Sequence, residues 1–522
     1  MKNMKDWIVK NRYGLSVALV AAMILLPFLG AVPLMDPDEP VYGETAKEML
    51  LVGDWLSPRI FGQYWYDKPP LFYWLEMLSY SFFGISDVAS RLPSAVMAMA
   101  TAVYVYVQGR EMFNKPIAFL AALFLVTSMG FMYIGKAAVT DMTLMFTLTV
   151  TMISFYRKKY YIAYIFCGLS LLVKGPIGYA FPALIMLLYL AWTRQWSLMK
   201  EMKIPQGILL AFLVGLPWYI LMYKVHGEVF LDTFIGYHNI TRFAAPEHPG
   251  QNSLFFFIPI LFAAMMPWTA ALFPTLRRLF KKRDPFKDTL QYCFVWAAFI
   301  FVFFSLSKTQ LVTYIAPMFP PTAYLLGWYW YRCYIERKFS RPLLVSFYIL
   351  GLLLLASNAI PLHENAAFFR PAIAWGSGLL AAALFLPAWC LWRRRYRSAF
   401  VAGIVMMVCF SWAAFGFIIP QFKGHVTSYE TAQILPDVYD GHSPLYIEKF
   451  LRPGIAYYSG MYGTEWDPVK DPDLEELLAE KDKIFLVMSK STFHKLAKSQ
   501  QLIDRFGIAA ETPTQVILIN HP

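Results

Sequence analysis

Apolar residues fill long, nearly uncharged runs along the first four fifths of the chain, and short polar connections separate them. A helix needs roughly 17 to 25 apolar residues to cross a bilayer, and lipid offers the backbone no hydrogen-bonding partner other than itself. The pattern therefore predicts an all-α transmembrane bundle of about thirteen helices. The predicted spans are 13–33, 89–108, 116–134, 137–156, 160–173, 176–193, 207–225, 254–274, 289–306, 311–331, 343–361, 373–392 and 399–419.

The pattern changes at both ends of this region. The N-terminus has a basic start and an apolar stretch without a small-residue cleavage site, which predicts an uncleaved first span. After residue 420 the runs SPLYIEKF, KIFLVMS and TQVILIN predict strands, and LEELLAEK and FHKLAKSQQLIDRFG predict helices. We therefore expect a membrane domain over 1–419 and a small α/β domain over 420–522, serving as a lid, an interaction platform or a solubility cap without a catalytic part.

Composition and charge agree with a polytopic membrane protein and orient it. The chain is 58% hydrophobic and 15% charged, with a mean hydropathy of +0.46. The N-terminal tail and the connections after even-numbered spans hold more than twice as many Lys and Arg residues as the others. By the positive-inside rule they are cytoplasmic, so the first loop, 34–88, and the C-terminal domain are extracytoplasmic. The net charge of +12 is mostly this topological signal, so we expect no nucleic-acid partner.

Several kinds of chemistry lose support. The longest predicted cytoplasmic connection, 275–288, is too short for a nucleotide-binding domain, and the sequence has no P-loop or dinucleotide fingerprint. The five cysteines lie in or beside predicted spans, which indicates neither a disulfide framework nor a cysteine metal site. We expect no nucleotide or redox cofactor, so chemistry outside would draw its energy from an activated lipid.

Acidic, basic and other polar residues from distant segments are predicted to meet at the extracytoplasmic face. They are Asp36, Asp38, Glu39, Asp67 and Lys68 in the first loop, Asp141, Lys174, His238, Asn239, Arg242, Lys308 and Tyr314. Taken singly, each has a structural explanation: Asp38 as a helix N-cap, Asp141 as a partner of Lys136, and the lysines as snorkelling side chains. A carboxylate at the centre of a span costs about 2.5 to 3.5 kcal/mol. Because both signs gather on one face, a cavity for a charged lipid headgroup explains them better.

The ordered motifs DPDEPVYGETAKEMLLVGDW, YWYDKPP, AVTDM, VKGP, LPWY, HNITRF and SKTQLVTYIAP resemble those of the polytopic C-type glycosyltransferases. The similarity covers about 34–326 and is greatest to the branch with the lipid A 4-amino-4-deoxy-L-arabinose transferases, among the protein O-mannosyltransferase-like dolichyl- and undecaprenyl-phosphate sugar transferases. It implies the C-type fold, with juxtamembrane helices on the outer face. It also implies inverting transfer from a polyprenyl (undecaprenyl) phosphate sugar to a glycolipid, glycan or protein, outside the bacterial cytoplasmic membrane.

The resemblance implies roles for individual residues. Asp38 and Asp141 match the acidic residues of the reaction centre, and Lys68, Arg242 and Tyr314 match groups that bind the lipid phosphate, with Lys308 close by. The remaining substrate-binding candidates are Glu39, Tyr42 and Lys174. The candidate ligands for a divalent cation are Asp67 with His238 or Asn239.

The chain departs from the family pattern at three positions, and two other functional classes remain open. Gln310 and Val312 stand where the family often has Lys and Pro, and Asp67 stands where the lipid A transferases have Glu. These changes leave the sugar and the acceptor unassigned. The first alternative is a transporter or flippase for polyprenyl-linked sugars, and the second is a non-enzymatic scaffold.

Overall fold

The computed structural model describes residues 2–234, 236, 253–279, 284–336, 340–361, 364–468, 483–497 and 506–520. In this part of the chain the α-helices are Lys2–Leu25, Asp38–Val52, Leu71–Phe83, Asp87–Met112, Lys115–Val126, Met129–Gly135, Asp141–Tyr156, Tyr160–Lys174, Ile177–Thr193, Leu198–Glu201, Ile204–His226, Glu228–Leu231, Phe257–Ala264, Leu272–Leu279, Lys287–Leu306, Phe319–Glu336, Arg341–Ala356, Arg370–Trp392, Tyr396–Ala413, Lys423–Val426, Tyr429–Val438, Arg452–Ser459 and Lys490–Ala497. The strands are Arg59–Ile60, Gln63–Tyr64, Leu445–Glu448, Thr464–Trp466, Phe485–Ser489, Gly507–Glu511 and Gln515–Ile519.

The protein is a multi-pass, mainly helical membrane protein, as predicted, but the count of thirteen spans is not confirmed. Among the described residues, six helices are long and apolar enough to cross a membrane, or eight if each of two bent pairs is one span. One pair, Lys115–Val126 with Met129–Gly135, bends by 64°, and the other, Phe257–Ala264 with Trp268–Leu279, bends by 109°. Every predicted span overlaps a helix, but several of these helices are shorter than the apolar runs that contain them.

The chain forms two compact units, each built from separate stretches of sequence. The helical unit contains Met1–Pro27, Tyr66–Phe72 and Arg91–Ile418. The mixed unit contains Phe28–Trp65, Tyr73–Ser90 and Ile419–Pro522. Most of the first loop therefore shares a unit with the C-terminal residues, although more than three hundred residues separate them in sequence.

Close helix packing in the helical unit depends on glycine. A Cβ atom built at Gly168, in Tyr160–Lys174, would lie 2.6 Å from the carbonyl oxygen of Ala211 in Ile204–His226. At Gly215, in the second helix, it would lie 2.9 Å from the carbonyl oxygen of Gly168. These obstacles are backbone atoms, so rotation of a side chain does not relieve them. Small residues of this kind let helices approach closely where lipid supplies no hydrophobic driving force.

The C-terminal part of the mixed unit contains a five-stranded mixed sheet. Its strand order is Thr464–Trp466, Leu445–Glu448, Phe485–Ser489, Gln515–Ile519 and Gly507–Glu511. The first three strands are parallel, and the last two pair antiparallel to their neighbours. Alternate side chains of the central strands pack into two separate hydrophobic clusters, so the sheet is covered on both faces.

The three strands predicted after residue 420 are confirmed, and the α/β character of this region with them. Two strands were not predicted. Thr464–Trp466 is only three residues long, and Gly507–Glu511 has a single β-branched residue. The predicted helix over FHKLAKSQQLIDRFG is partly wrong: a helix covers Lys490–Ala497, but Gly507 begins a strand. The predicted helix LEELLAEK lies outside the described residues.

We predict that Gly168→Ala lowers the melting temperature of the detergent-solubilised protein, because the added methyl group meets a backbone oxygen. Overpacking of this kind costs about 1 to 3 kcal/mol. Gly376→Ala is the matched control, since a Cβ atom at that helical glycine has no neighbour within 4 Å. An unchanged melting temperature for Gly168→Ala would contradict the packing described above.

Candidate active site

An ion pair joins two helix ends in the helical unit. Asp141 is the first residue of the helix Asp141–Tyr156, and Lys174 is the last residue of Tyr160–Lys174. The lysine Nζ lies 2.7 Å from Oδ1 of the aspartate, and the two side chains are only 15% and 12% exposed. A carboxylate is favoured at a helix N-terminus and an ammonium at a C-terminus, so both helix dipoles support the pair.

The alternative pairing of Asp141 with Lys136 is wrong. The Lys136 ammonium donates to the carbonyl oxygen of Pro27 and lies 4.8 Å from the centre of the Phe415 ring. Lys136 directly follows the short helix Met129–Gly135. From there its side chain reaches the carbonyl oxygen of Pro27, which lies just beyond the end of the helix Lys2–Leu25. This lysine stabilises helix packing, and Lys174 neutralises the aspartate.

A second ion pair and a tyrosine lie close to the first pair. Lys68 Nζ is 2.8 Å from Asp67 Oδ1, and the Asp67 carboxylate also acts electrostatically on Lys174. The Lys174 ammonium lies 5.2 Å from the centre of the Tyr314 ring, which is within cation–π range. The structure thus brings together five of the predicted site residues from four separate segments of the helical unit. We call them the charged cluster: Asp67, Lys68, Asp141, Lys174 and Tyr314.

The segment before Tyr314 explains one departure from the family pattern. Gln310 is 6% exposed, and its side-chain amide donates to the carbonyl oxygen of Ser253 at 3.2 Å and accepts from the Ser253 amide at 3.3 Å. It also donates to the carbonyl oxygen of Ser305. Gln310 therefore links the backbone at Ser253 and Ser305 by hydrogen bonds, whereas a lysine at this position would add a positive charge. Lys308, two residues earlier, is exposed.

Three predicted residues lie outside the described part of the chain: His238, Asn239 and Arg242. Across the described ranges, no group of three His, Cys, Asp or Glu residues is arranged to hold a metal ion. The carboxylate of Asp67 is already neutralised by an ammonium. The divalent cation stays a prediction, and the described residues give it no support.

The first loop places Asp38 on the mixed unit. Asp38 is exposed and is the first residue of the helix Asp38–Val52, whose N-cap position is occupied by Pro37. The N-cap explanation of Asp38 is therefore wrong, because the chain enters the helix one residue earlier. Glu39 is buried and accepts a hydrogen bond of 2.8 Å from the Met35 amide. The Tyr42 ring packs 6.0 Å from that of Tyr73.

Two buried carboxyl groups lie near this helix: Asp36, which the sequence had singled out, and Glu76, which it had not. Glu76 is fully buried in Leu71–Phe83, and neither of its carboxyl oxygens has a hydrogen-bond partner among the described residues. Burial, with a contribution from the charge of Glu39, raises the pKa of Glu76 well above its usual value. The carboxyl oxygens of Asp36 are also buried. A lone Glu inside the apolar run LFYWLEMLSY was the available signal.

In sequence, this chain is similar to proteins described as glycosyl transferases. A family profile described as dolichyl-phosphate-mannose-protein mannosyltransferase matches residues 67–221. An undecaprenyl phosphate-alpha-4-amino-4-deoxy-L-arabinose arabinosyl transferase of Pseudomonas fluorescens is 30% identical over 61% of this chain and 56% of its own length. An undecaprenyl phosphate-alpha-4-amino-4-deoxy-L-arabinose arabinosyl transferase of Serratia proteamaculans is 27% identical over 79% of this chain and 77% of its own length. The chain thus matches little more than half the length of the Pseudomonas relative.

Comparisons of structure give the fold. The structure of ArnT from Cupriavidus metallidurans bound to undecaprenyl phosphate aligns with a TM-score of 0.78, covering 99% of this chain and 98% of that one at 22% identity. An archaeal oligosaccharyltransferase from Archaeoglobus fulgidus, in complex with an inhibitory peptide and a dolichol-phosphate, aligns with a TM-score of 0.52 at 14% identity. This chain therefore has the fold that these membrane proteins share.

We predict that Lys174→Met lowers the free energy of unfolding by about 2 to 4 kcal/mol, because it leaves a mostly buried carboxylate unpaired. The double variant Asp141→Asn with Lys174→Met should recover part of that loss. Lys158→Met is the matched control, since Lys158 and Glu201 form a 2.7 Å pair whose side chains are more than half exposed. Such a pair contributes about 1 kcal/mol or less. Equal losses in thermal or chemical unfolding for the two lysine variants would contradict the role assigned to the buried pair.

We also predict a pH-dependent contribution from Asp36. Burial raises the pKa of Asp36 to about 8, although the nearby Ser428 lowers it in part. Neither carboxyl oxygen of Asp36 has a hydrogen-bond partner among the described residues. The folded state therefore favours the protonated form of Asp36. Its contribution to stability is complete below the pKa of this group in the unfolded chain and is lost as the pH rises through about 8. The melting temperature of Asp36→Asn should fall less than that of the wild type between pH 5 and pH 9.

Asp54→Asn is the control, with the melting temperature followed as the pH falls below 5, because its effect should have the opposite sign. Burial raises the pKa of Asp54, but hydrogen bonds from the Ser57 and Leu56 amides and the charge of Arg59 together hold it below its usual value. Its contribution is present at neutral pH and is lost as the pH falls. If both variants change the pH profile in the same direction, the assignment for Asp36 is wrong.

Proposed function

Since this chain is a relative of the polytopic C-type glycosyltransferases, similar in sequence to the undecaprenyl phosphate arabinosyl transferases, we propose that it is an integral membrane glycosyltransferase. Its donor is a sugar on a polyprenyl phosphate of the undecaprenyl type. Its acceptor is a glycolipid, glycan or protein of the bacterial cell envelope. Transfer takes place on the outer face of the cytoplasmic membrane, with the N-terminus in the cytoplasm and the C-terminal domain outside.

The charged cluster is the observation that carries this proposal. Each of two ammonium groups is held by a carboxylate, at 2.8 Å for Lys68 and 2.7 Å for Lys174, and the Tyr314 ring lies 5.2 Å from the Lys174 ammonium. Fixed cations of this kind suit a lipid phosphate, which gains negative charge when its bond to the sugar breaks. Lys68 and Lys174 therefore bind the phosphate, and Tyr314 contributes its hydroxyl. Arg242 is proposed as a further phosphate ligand on the resemblance alone.

The reaction is a displacement at the anomeric carbon of the donor sugar. The acceptor oxygen forms a bond to that carbon, the bond from carbon to the phosphate oxygen breaks, and the polyprenyl phosphate leaves with the bonding electron pair. Positive charge develops on the sugar, which a carboxylate stabilises. Attack opposite to the leaving group inverts the configuration, and we propose an inverting mechanism on this ground.

Asp38 is the proposed reaction-centre carboxylate. It is exposed at the first turn of its helix, so an acceptor can reach it. If the acceptor group is a hydroxyl, Asp38 takes its proton; if it is an ionised phosphate, no base is needed and Asp38 orients the acceptor or stabilises charge. Asp141 holds Lys174 in place through its ion pair. None of these steps requires a metal ion.

We predict that Asp38→Asn lowers transfer in cells at least ~100-fold, the lower end of the contribution of a general base or of a group that stabilises charge in the transition state. The measurement is mass spectrometry of envelope lipids, glycans and proteins from a deletion strain carrying either wild type or variant. The wild type should restore a mass increment that identifies both sugar and acceptor. Glu201→Gln, a change in the exposed surface pair, is the control for expression and membrane insertion. Restoration of the full increment by Asp38→Asn, at equal protein level, would contradict the proposed role.

A further inference from the structure

One short helix of the C-terminal region contacts several segments of the first loop within the mixed unit. This helix, Arg452–Ser459, is called the clamp helix here. Its residues contact the backbone at Leu34, the side chains of Lys47 and Asp87, and Ser90 just after the loop. Its Gly454 lies beside the carboxyl group of Asp36. The loop residues on both sides of Asp38 therefore depend on a helix more than three hundred residues later in the sequence.

Tyr458 ties the two ends of the loop together. Its hydroxyl accepts a hydrogen bond of 2.6 Å from the Leu34 amide and donates one of 2.6 Å to Asp87 Oδ1. Burial, together with the charge of Asp87, raises the pKa of Tyr458, so the hydroxyl keeps its proton and its role as a donor. A phenylalanine at this position would lose both bonds and leave the shape of the ring unchanged.

A tight contact holds the chain two residues before Asp38. The Asp36 amide donates to the carbonyl oxygen of Val426 at 3.1 Å. A Cβ atom built at Gly454 of the clamp helix would lie 2.3 Å from Asp36 Oδ1 and 2.1 Å from the Ser428 hydroxyl oxygen. Only glycine leaves room for the aspartate carboxyl group at this point.

The helix that begins at Asp38 is held at a second point. Lys47, in its third turn, donates to the carbonyl oxygens of Tyr457 at 2.9 Å and Ala456 at 3.4 Å, and to Glu44 at 2.9 Å. These carbonyls belong to the C-terminal turn of the clamp helix, where a cation is favoured by the helix dipole. The axis of the Asp38 helix is thereby fixed relative to the clamp helix.

We propose that the clamp helix positions Asp38, through the hydrogen bonds of Tyr458, the close approach of Gly454 to Asp36 and the contact with Lys47. The inference rests on the proposed function and extends it, because it makes the C-terminal domain a necessary part of the transferase. A reacting group displaced by about 1 Å can lose about 100-fold in rate without loss of substrate binding. The clamp helix therefore affects transfer and not the binding of the lipid phosphate, whose proposed ligands are in the helical unit.

The experiment compares Tyr458→Phe with Tyr439→Phe. Tyr439 lies in the same domain, and its hydroxyl donates to the carbonyl oxygen of Ser443, so the control removes a tyrosine hydroxyl bond unrelated to the first loop. Two quantities are measured: the initial rate at which the modified envelope component appears after induction, and the rise in melting temperature of the purified protein on addition of undecaprenyl phosphate. Tyr458→Phe should lower the rate ~10-fold or more, by misplacement of Asp38, and leave the undecaprenyl phosphate effect unchanged. Tyr439→Phe should change neither.

Lys47→Met is the second variant, for the case in which Tyr458→Phe does not reach the membrane at wild-type level. It keeps the apolar stem of the lysine and removes the bonds to the clamp helix, and the same split between rate and lipid binding is expected. A wild-type rate in either properly folded variant would overturn the inference. If Asp38→Asn is inactive while these variants are fully active, only the positioning role fails. If Asp38→Asn is fully active, the proposed role of Asp38 fails with it; if the wild type itself restores no mass increment, the proposed function fails.

Discussion

The charged cluster of the helical unit depends on one constraint, which is that a charge shielded from water needs a partner of opposite sign. Asp141 and Lys174 satisfy it for each other, and Asp67 does so for Lys68. Two acidic and two basic residues leave the cluster neutral overall. An anionic headgroup must therefore draw an ammonium away from its carboxylate or meet a further cation. Under the proposed function, such an exchange keeps the site folded without ligand and makes a cation available to the phosphate.

In the proposed mechanism the mixed unit has a different role, which is to position the exposed carboxylate of Asp38. Asp38 is the first residue of the helix Asp38–Val52. The neighbouring Asp36 and the later Lys47 are both held by the C-terminal region. A loop that was free at its ends would sample many positions, and ordering it during the reaction would raise the barrier. A folded domain that holds the loop in advance removes that entropic cost.

Apolar run length predicted the helical character of the chain, and alternation in short runs predicted the central strands of the sheet. Run length alone could not show where a span bends, as at Ser128 between Lys115–Val126 and Met129–Gly135, or how many helices cross. Residue type and motif order singled out all five members of the charged cluster. The partner of Asp141 was not predictable, since Lys136 is nearer in sequence and Lys174 meets it only through packing of two helices. The clamp helix was equally hidden, because its sequence, RPGIAYYS, has no catalytic signature.

The most direct test of the central claim is glycoside formation by the purified protein in detergent. The protein is mixed with an envelope extract of the deletion strain, which supplies donor lipid and unmodified acceptor, and products are followed by mass spectrometry. Detergent abolishes the difference between membrane faces, so movement of a lipid from one side to the other cannot produce a signal. A transferase adds the sugar mass to the acceptor and releases an equal amount of polyprenyl phosphate. If the acceptor stays unmodified, while the same protein reconstituted in vesicles moves the donor lipid across the bilayer, the protein is a transporter and the proposed function is wrong.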